Sequence, residues 1–276
     1  MTNELFSDAL SKRAALDQLF ETLPEITLLG VVGARGPSGG KIGQQTLWSA
    51  TVELVAWRQE GGPIQRTLLR LVKTVTDQEI KELRQKISCE SLIRFRAKLA
   101  LQNPFDSPHA QLTSLLGAAQ DFELMEVLHE YQKPITFHDT LFGIFTLDKR
   151  INWLETKAEW CGRTISLYAS IENLSGADAA VQTAHELWKK MPEWDRRIKE
   201  YAVAHLLELK NDNWLGDNEA EVSAHEFTQR MELTSITVSS DRSFEFMHDD
   251  GDLFWGHCIQ VCGTLASGPN SAGIPG

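Results

Sequence analysis

Residues 244–261 read Phe-Glu-Phe-Met-His-Asp-Asp-Gly-Asp-Leu-Phe-Trp-Gly-His-Cys-Ile-Gln-Val, two aromatic and β-branched runs around an acidic turn. The two runs predict strands over 244–248 and 254–261. Asp250 and Gly251 form the Asp-Gly pair whose positive φ suits a tight turn. This stretch therefore predicts a β-hairpin, and it carries most of the functional groups in the C-terminal half.

The predicted hairpin places several side chains that could act in catalysis or metal binding close together. Alternate residues of a strand share a face, so Trp255 and His257 are expected on one side of the second strand. His248 lies on the partner strand. A histidine on an apolar face is most often a buried structural group; the alternative is a general base or metal ligand. Carboxylates for such a site would come from Asp249, Asp250 and Asp252.

The chain before this stretch predicts a β-rich N-terminal domain. Residues 1–24 contain an amphipathic helix that Pro24 ends, and residues 25–132 form the domain. A small barrel of the oligonucleotide-binding type is one way to close such a set of strands. The predicted strands are 27–33, 48–57, 65–73 and 91–99, with a short helix over 77–87 and a strand or short helix over 110–123.

The second half, residues 133–265, predicts an α+β domain: an antiparallel sheet with helices packed on one face. Ser223 opens a capping box for a short helix. The remaining residues, 266–276, are rich in glycine, proline and serine and predict a disordered tail. The other predicted elements are strands over 141–147, 153–160, 163–169 and 234–238, and helices over 176–190 and 192–210.

Composition limits the classes of function. The chain has 38 acidic and 27 basic residues and a net charge of −11. A general nucleic-acid binder needs a basic face, so nucleic acid is an unfavoured partner, whereas a basic protein surface is favoured. No signal-peptide pattern or apolar run of ~20 residues occurs, which predicts a cytoplasmic protein with no membrane contact. The cysteines are scattered and predict reduced thiols: Cys89, Cys161, Cys258 and Cys262.

The C-terminal half resembles a bacterial family known only as domain of unknown function 2262, over roughly residues 138–265. The resemblance implies a bacterial, cytoplasmic α+β domain with no established activity. We recognise no family resemblance in the N-terminal half. The matching strings are Gly143-Ile-Phe-Thr-Leu147, Trp160-Cys-Gly162, Asn213-Trp214, Ser223-Ala-His-Glu-Phe227 and Asp250-Gly-Asp-Leu-Phe-Trp-Gly-His257.

Several common catalytic and cofactor patterns do not fit. The glycine-rich loop at 33–41 departs from a phosphate-binding loop, because Arg35 and Ile42 stand where that loop needs glycine and a hydroxyl residue. The histidines lack the His-x3-His spacing of zinc proteases, and no Gly-x-Ser-x-Gly elbow occurs. We therefore expect no cofactor and no metal site.

The leading hypothesis is a non-catalytic cytoplasmic factor that binds another protein. Analogy with domains that accompany toxin systems suggests an immunity or regulatory type. The candidate binding residues are Trp255, Trp214 and Asn213.

Two other functions stay open. One is a hydrolytic enzyme centred on His257 with Asp250 or Asp252, and with His248 as a further candidate. The other is single-stranded nucleic-acid binding by a basic strip on the N-terminal domain, with aromatic rings as stacking platforms. The strip comprises Arg66, Arg70, Lys73, Arg94, Arg96 and Lys98, and the rings are those of Trp48, Trp57 and Phe95.

Overall fold

The computed structural model describes residues 2–41, 45–217 and 219–275. The chain divides between Lys133 and Pro134 into two compact units. The elements of the first unit are α1 (Thr2–Thr22), β1 (Glu25–Val32), β2 (Ser38–Gly40), β3 (Trp48–Gln59), β4 (Leu69–Val75), α2 (Asp77–Lys86), β5 (Leu92–Ala100), β6 (His109–Ala118) and α3 (Phe122–Gln132).

Five strands of the first unit close into a barrel. Its circular order is β1-β3-β4-β6-β5, closed by the pairing of β1 with β3, and β2 adds to β3 outside the ring. The β4–β6 pair is parallel and the other pairs are antiparallel. Inward-facing residues such as Leu54, Leu71 and Phe95 are almost fully buried. The small-barrel prediction is confirmed.

Residues 110–123 were predicted as one strand or one short helix, whereas the structure divides them between the strand β6 and the start of helix α3. The strand β6 ends at Ala118, and Asp121 then caps a new helix by accepting the N–H of Leu124 at 2.9 Å. Leu124, Val127 and Leu128 bury one side of this helix. The strand and the helix lie only a few residues apart, so the sequence pattern merges two periods into one stretch.

The second unit contains a single sheet of eight strands. Its elements are β7 (Thr136–Asp139), β8 (Gly143–Asp148), β9 (Trp153–Trp160), β10 (Arg163–Ser170), α4 (Ala177–Lys189), α5 (Met191–Asn213), α6 (Ala224–Arg230), β11 (Glu232–Ser239), β12 (Ser243–Asp249), β13 (Cys258–Thr264) and β14 (Gly268–Gly273).

The strands of this sheet follow chain order, from β7 at one edge to β14 at the other. The pairs are antiparallel except β10–β11, which is parallel because the helices α4 to α6 connect those two strands. The helices cover the sheet face that carries Leu167, Ile236 and Phe246, and their apolar sides complete the core. The α+β class, with helices against an essentially antiparallel sheet, is confirmed.

The prediction of a disordered tail over 266–276 is wrong, because residues 268–273 form the strand β14 on the edge of the sheet. Gly268, the first residue of β14, has a φ of +78°, and a Cβ on Gly263 of β13 would lie 2.3 Å from the Gly268 backbone oxygen. The glycine at 268 therefore permits a left-handed backbone at the start of an ordered strand, where the sequence composition predicts disorder.

Within the described ranges, no helix is both long and apolar enough to cross a membrane.

Candidate functional site: an aromatic loop held by a buried carboxylate

Residues 250–257, which we call the aromatic loop, connect β12 to β13. The predicted antiparallel pairing of the two strands is confirmed, but the prediction of a tight turn between them is wrong. β13 begins at Cys258 rather than at Phe254, so Trp255 and His257 lie in the loop and not on a strand. The register of β12 with β13 starts at the Asp249–Cys258 pair, which leaves eight residues in the connection.

The Asp250 carboxylate organises the aromatic loop. Its side chain is 2% exposed and accepts three backbone N–H groups. The N–H of Asp252 donates to Oδ1 at 3.1 Å, and those of Phe254 and Gly256 donate to Oδ2 at 2.6 and 3.2 Å. Hydrogen bonds to an ionised acceptor are roughly twice as strong as neutral ones. Asp250 therefore replaces the strand ladder as the partner of these N–H groups.

The loop backbone takes an energetically costly course. Gly251, Asp252, Trp255 and Gly256 all have positive φ, with +56° at Trp255. A left-handed conformation costs roughly 1–2 kcal/mol for a residue with a side chain. At Gly251 a side chain is also excluded, since its Cβ would lie 2.4 Å from the backbone oxygen of Arg230.

Two loop residues anchor the turn in the core. Leu253 and Phe254 are fully buried. The Phe254 ring makes edge contacts with Phe227 of α6 and Trp214 at the end of α5, at centroid distances of 6.0 and 5.6 Å. Burial of these two side chains fixes the loop between the helices and the sheet.

The next residue, Trp255, faces solvent. It is 61% exposed, the largest exposed fraction among the exposed large hydrophobic side chains in the described part of the second unit. Its ring lies 4.9 Å from that of Trp214, tilted by 58°, and the His257 ring meets Trp214 edge-on at 5.4 Å. The structure thus brings together Trp255, Trp214 and His257, as an aromatic cluster on the surface.

A partly buried ionic network links the two chain segments that build this cluster. Lys210 is fully buried, and its Nζ donates to the Trp214 backbone oxygen at 2.7 Å and to Glu219 Oε2 at 2.9 Å. Arg230 Nη1 lies 3.6 Å from Glu219 Oε1, and Arg230 Nε donates to the Gly251 oxygen at 2.9 Å. A chain of contacts therefore runs from the Trp214 backbone to the start of the aromatic loop.

The sequence patterns above do not predict this network. Lys210 follows a run of apolar residues on α5, at positions that pack into the core. A lysine on the buried side of an amphipathic helix indicates a charge that needs an internal partner. That pattern is the signal that could have identified Lys210, although its partner Glu219 has no such signal.

Asn213, the third candidate binding residue, is exposed at the last position of α5. The amide that bonds to the chain here belongs to Asn211 instead. Its Nδ2 donates to the Val222 oxygen at 3.1 Å, and its Oδ1 accepts the Val222 N–H at 2.9 Å. Asn213 therefore adjoins Trp214 in the sequence, and the hydrogen bonds that hold this end of α5 come from Asn211 and Lys210.

His248 lies in the core and not in the loop. It is 1% exposed on the helix-covered face of β12, opposite Leu233 and Ile259 on the neighbouring strands. Burial lowers the pKa of His248 to about 4, although a hydrogen bond with the Ile259 backbone opposes that shift. The imidazole is therefore neutral at neutral pH, and its Nδ1 has no hydrogen-bond partner among the described residues.

The hydrolytic arrangement requires a carboxylate that orients His257. Both oxygens of Asp250 accept backbone N–H groups, and Asp252 is exposed. No hydrogen bond joins His257 to either carboxylate within residues 219–275. Across the described ranges, no group of three or more histidine, cysteine, aspartate or glutamate side chains is placed to hold a metal ion.

The basic strip of the barrel carries its own counterions. Arg94 Nη2 lies 2.8 Å from Glu60 Oε1, and Arg96 Nη1 lies 3.6 Å from an oxygen of Glu25. Arg70 Nε likewise lies 3.6 Å from Glu53 Oε1. Carboxylates beside these arginines reduce the positive field that a phosphate backbone would meet.

The aromatic rings of the barrel are also engaged. Phe95 and Trp57 are 0% and 4% exposed, so the expectation that they interleave with the strip as stacking platforms is wrong. Inward-facing strand positions bury them in the barrel core. Trp48 is partly exposed and donates its Nε1–H to Asp77 at 2.6 Å.

The fold and the loop define a protein of two α+β units, each of which matches a family without an assigned activity. Residues 139–274 match the model described as "Uncharacterized protein conserved in bacteria (DUF2262)", which confirms the resemblance seen in the sequence. Residues 12–131 match the model described as "Domain of unknown function (DUF7021)".

Other comparisons add no function. No curated protein matches the chain. A solved structure described as "Molecular basis for abrogation of activation of pro-inflammatory cytokines" aligns with 55% of this chain and 77% of its own, at 18% identity. Its TM-score is 0.22, and a likeness at that level supports no conclusion about fold or function.

Proposed function

We propose that this protein is a non-catalytic cytoplasmic factor of bacteria, of immunity or regulatory type, that binds another protein through the aromatic loop. The observation that carries the proposal is Trp255. Its indole is 61% exposed on a backbone of positive φ, and Asp250 holds the N–H groups on both sides of it.

Backbone strain supports a functional reading of this residue. A large aromatic side chain in the left-handed region costs free energy that a glycine at the same position would largely avoid. Such strain persists where the surrounding structure over-determines it, and it clusters at binding and catalytic sites. Here the strain displays an indole to solvent, which serves no purpose in the core.

The chemistry of the exposed group fits a protein partner. Tryptophan is enriched among the few residues that dominate binding energy at protein interfaces. A rigid loop that presents it also loses little conformational entropy on binding. The acidic net charge of −11 favours a partner with a basic surface, since complementary charge raises the association rate.

The hydrolytic alternative gains nothing from this geometry. Asp250 is engaged by three backbone donors, and its two oxygens have little capacity left for orienting His257. His248 is enclosed in the core, so a substrate would not reach it without local unfolding.

Capture of partner proteins from a lysate of the host cell, with the tagged full chain, tests the proposal. We expect Trp255→Ala to weaken the captured interaction by roughly 30-fold or more, the effect of losing an interface hot spot. The matched control is Phe122→Ala, which removes another exposed aromatic side chain, 78% exposed at the start of α3. Equal capture by wild type and Trp255→Ala would overturn the proposal.

A further inference from the structure

We infer that the aromatic loop recognises an arginine side chain of its partner, by stacking the guanidinium on the Trp255 indole, with the exposed carboxylates of Asp249 and Asp252 adding to the attraction. This inference rests on the proposed function and gives the chemistry of that same site. Its starting point is the pair of indoles: the ring centroids of Trp255 and Trp214 are 4.9 Å apart and the rings are tilted by 58°, and Trp255 is still 61% exposed.

The charges around the loop leave a negative excess. Lys210 and Arg230 share the single carboxylate of Glu219, and the three carboxylates of Asp249, Asp250 and Asp252 outnumber the one positive charge that remains. Asp249 and Asp252 are exposed, one at each side of the first turn of the loop. The Asp249 carboxylate accepts the N–H of Gly251 at 2.9 Å and is otherwise open to solvent. The segment from Asp249 to Trp255 thus carries an exposed aromatic ring and two exposed carboxylates.

A cation fits this combination, and an anion does not. The face of an indole carries negative electrostatic potential and attracts cations, with tryptophan the strongest aromatic partner. Carboxylates nearby add to the same attraction. Arginine fits better than lysine because its planar guanidinium stacks on an aromatic ring while its N–H groups stay free to bond carboxylates.

The loop is also built in advance for such a contact. Asp250 fixes the backbone on both sides of Trp255, and Phe254 is locked in the core. A partner side chain would therefore meet a surface that is already ordered, which avoids the entropic cost of assembling the site on binding.

The experiment follows the Trp255 indole N–H by NMR in the full chain at an ionic strength of about 0.15 M. The probes are N-acetyl-arginine methylamide, the lysine analogue and the neutral citrulline analogue. We expect saturable shifts of the Trp255 indole signal with apparent affinity in the order arginine, lysine, citrulline. The arginine probe should bind about threefold or more tightly than citrulline.

Three variants locate the effect. Trp255→Leu keeps an apolar side chain but removes the ring, and should weaken arginine binding by about three- to fivefold. Asp252→Asn removes one charge, and asparagine tolerates the +67° φ of this position; it should weaken binding by about twofold. Asp178→Asn makes the same charge change at an exposed position of α4 and should have no effect.

Citrulline binding as tightly as arginine, or equal effects of Asp252→Asn and Asp178→Asn, would overturn the inference. Those results would leave the proposed function standing if Trp255→Ala still lost the captured partner. Retention of that partner by Trp255→Ala would instead overturn the proposed function itself.

Discussion

The basic strip of the barrel and the aromatic loop of the sheet unit contain similar residues in opposite arrangements. In the barrel the rings of Phe95 and Trp57 are buried, and Arg94 and Arg96 lie next to glutamates. In the aromatic loop the Trp255 ring is exposed, while the buried Asp250 carboxylate accepts hydrogen bonds from the loop backbone.

The difference shows that aromatic and charged composition does not by itself define a binding surface. Regular strand alternation sends the barrel aromatics inward and leaves the arginines outside, where Arg96 meets Glu25 on the neighbouring strand β1 and Arg94 meets Glu60 just after β3. The aromatic loop escapes alternation because one carboxylate takes three backbone donors and forces positive φ at Trp255. In this loop the exposure of the Trp255 ring therefore depends on an irregular backbone, which the buried Asp250 carboxylate maintains.

The largest effect that follows from this contrast concerns Asp250→Ala. Three backbone N–H groups would lose their acceptor, and we expect the free energy of unfolding to fall by about 4 kcal/mol. Urea denaturation of the full chain measures it. The barrel provides the control, since Arg94→Gln breaks only an exposed ion pair and should cost less than about 1 kcal/mol. Similar losses for both variants would contradict the distinction between the two regions.

A smaller effect concerns acid stability and His248, on the strand that leads into the loop. Burial lowers its pKa from 6.5 to about 4, so the unfolded chain binds this proton more readily than the folded one. The stability from His248 is therefore fully present above pH 6.5 and lost as pH falls towards 4, by up to about 3 kcal/mol.

Urea denaturation midpoints measured from pH 7 to pH 4 check this expectation, because that pH range spans the two pKa values of 6.5 and about 4. In His248→Leu the acid-dependent loss should shrink, whereas the exposed His225→Leu should keep it. An unchanged pH profile in His248→Leu would show that other groups control acid unfolding.

Much of the fold was predictable because it depends on local periodicity. The alternation around Phe95 gave a barrel strand, and the capping box at Ser223 gave α6, whose cap accepts the Glu226 N–H. The prediction of a disordered tail failed because glycine is common both in disordered segments and in strands that approach closely. Only the pairing of Gly268 with β13 shows which of the two applies here.

The candidate site was predictable in its residues and not in its geometry. Trp255, Trp214 and His257 were identified and do lie together. The Asp-Gly pair indicated a tight turn, yet Asp250 bonds forward as far as Gly256 and extends the turn into a loop. Which donors a carboxylate accepts depends on three-dimensional placement that spacing alone does not encode.

The central claim is that Trp255 is held exposed for binding and does not support the fold. The free energy of unfolding of Trp255→Gly tests it most directly. Glycine relieves the left-handed strain but loses the Trp214 contact, so the account predicts a value within about 1 kcal/mol of wild type. A loss of about 3 kcal/mol or more, as for a core tryptophan, would contradict the claim and make Trp255 a structural residue.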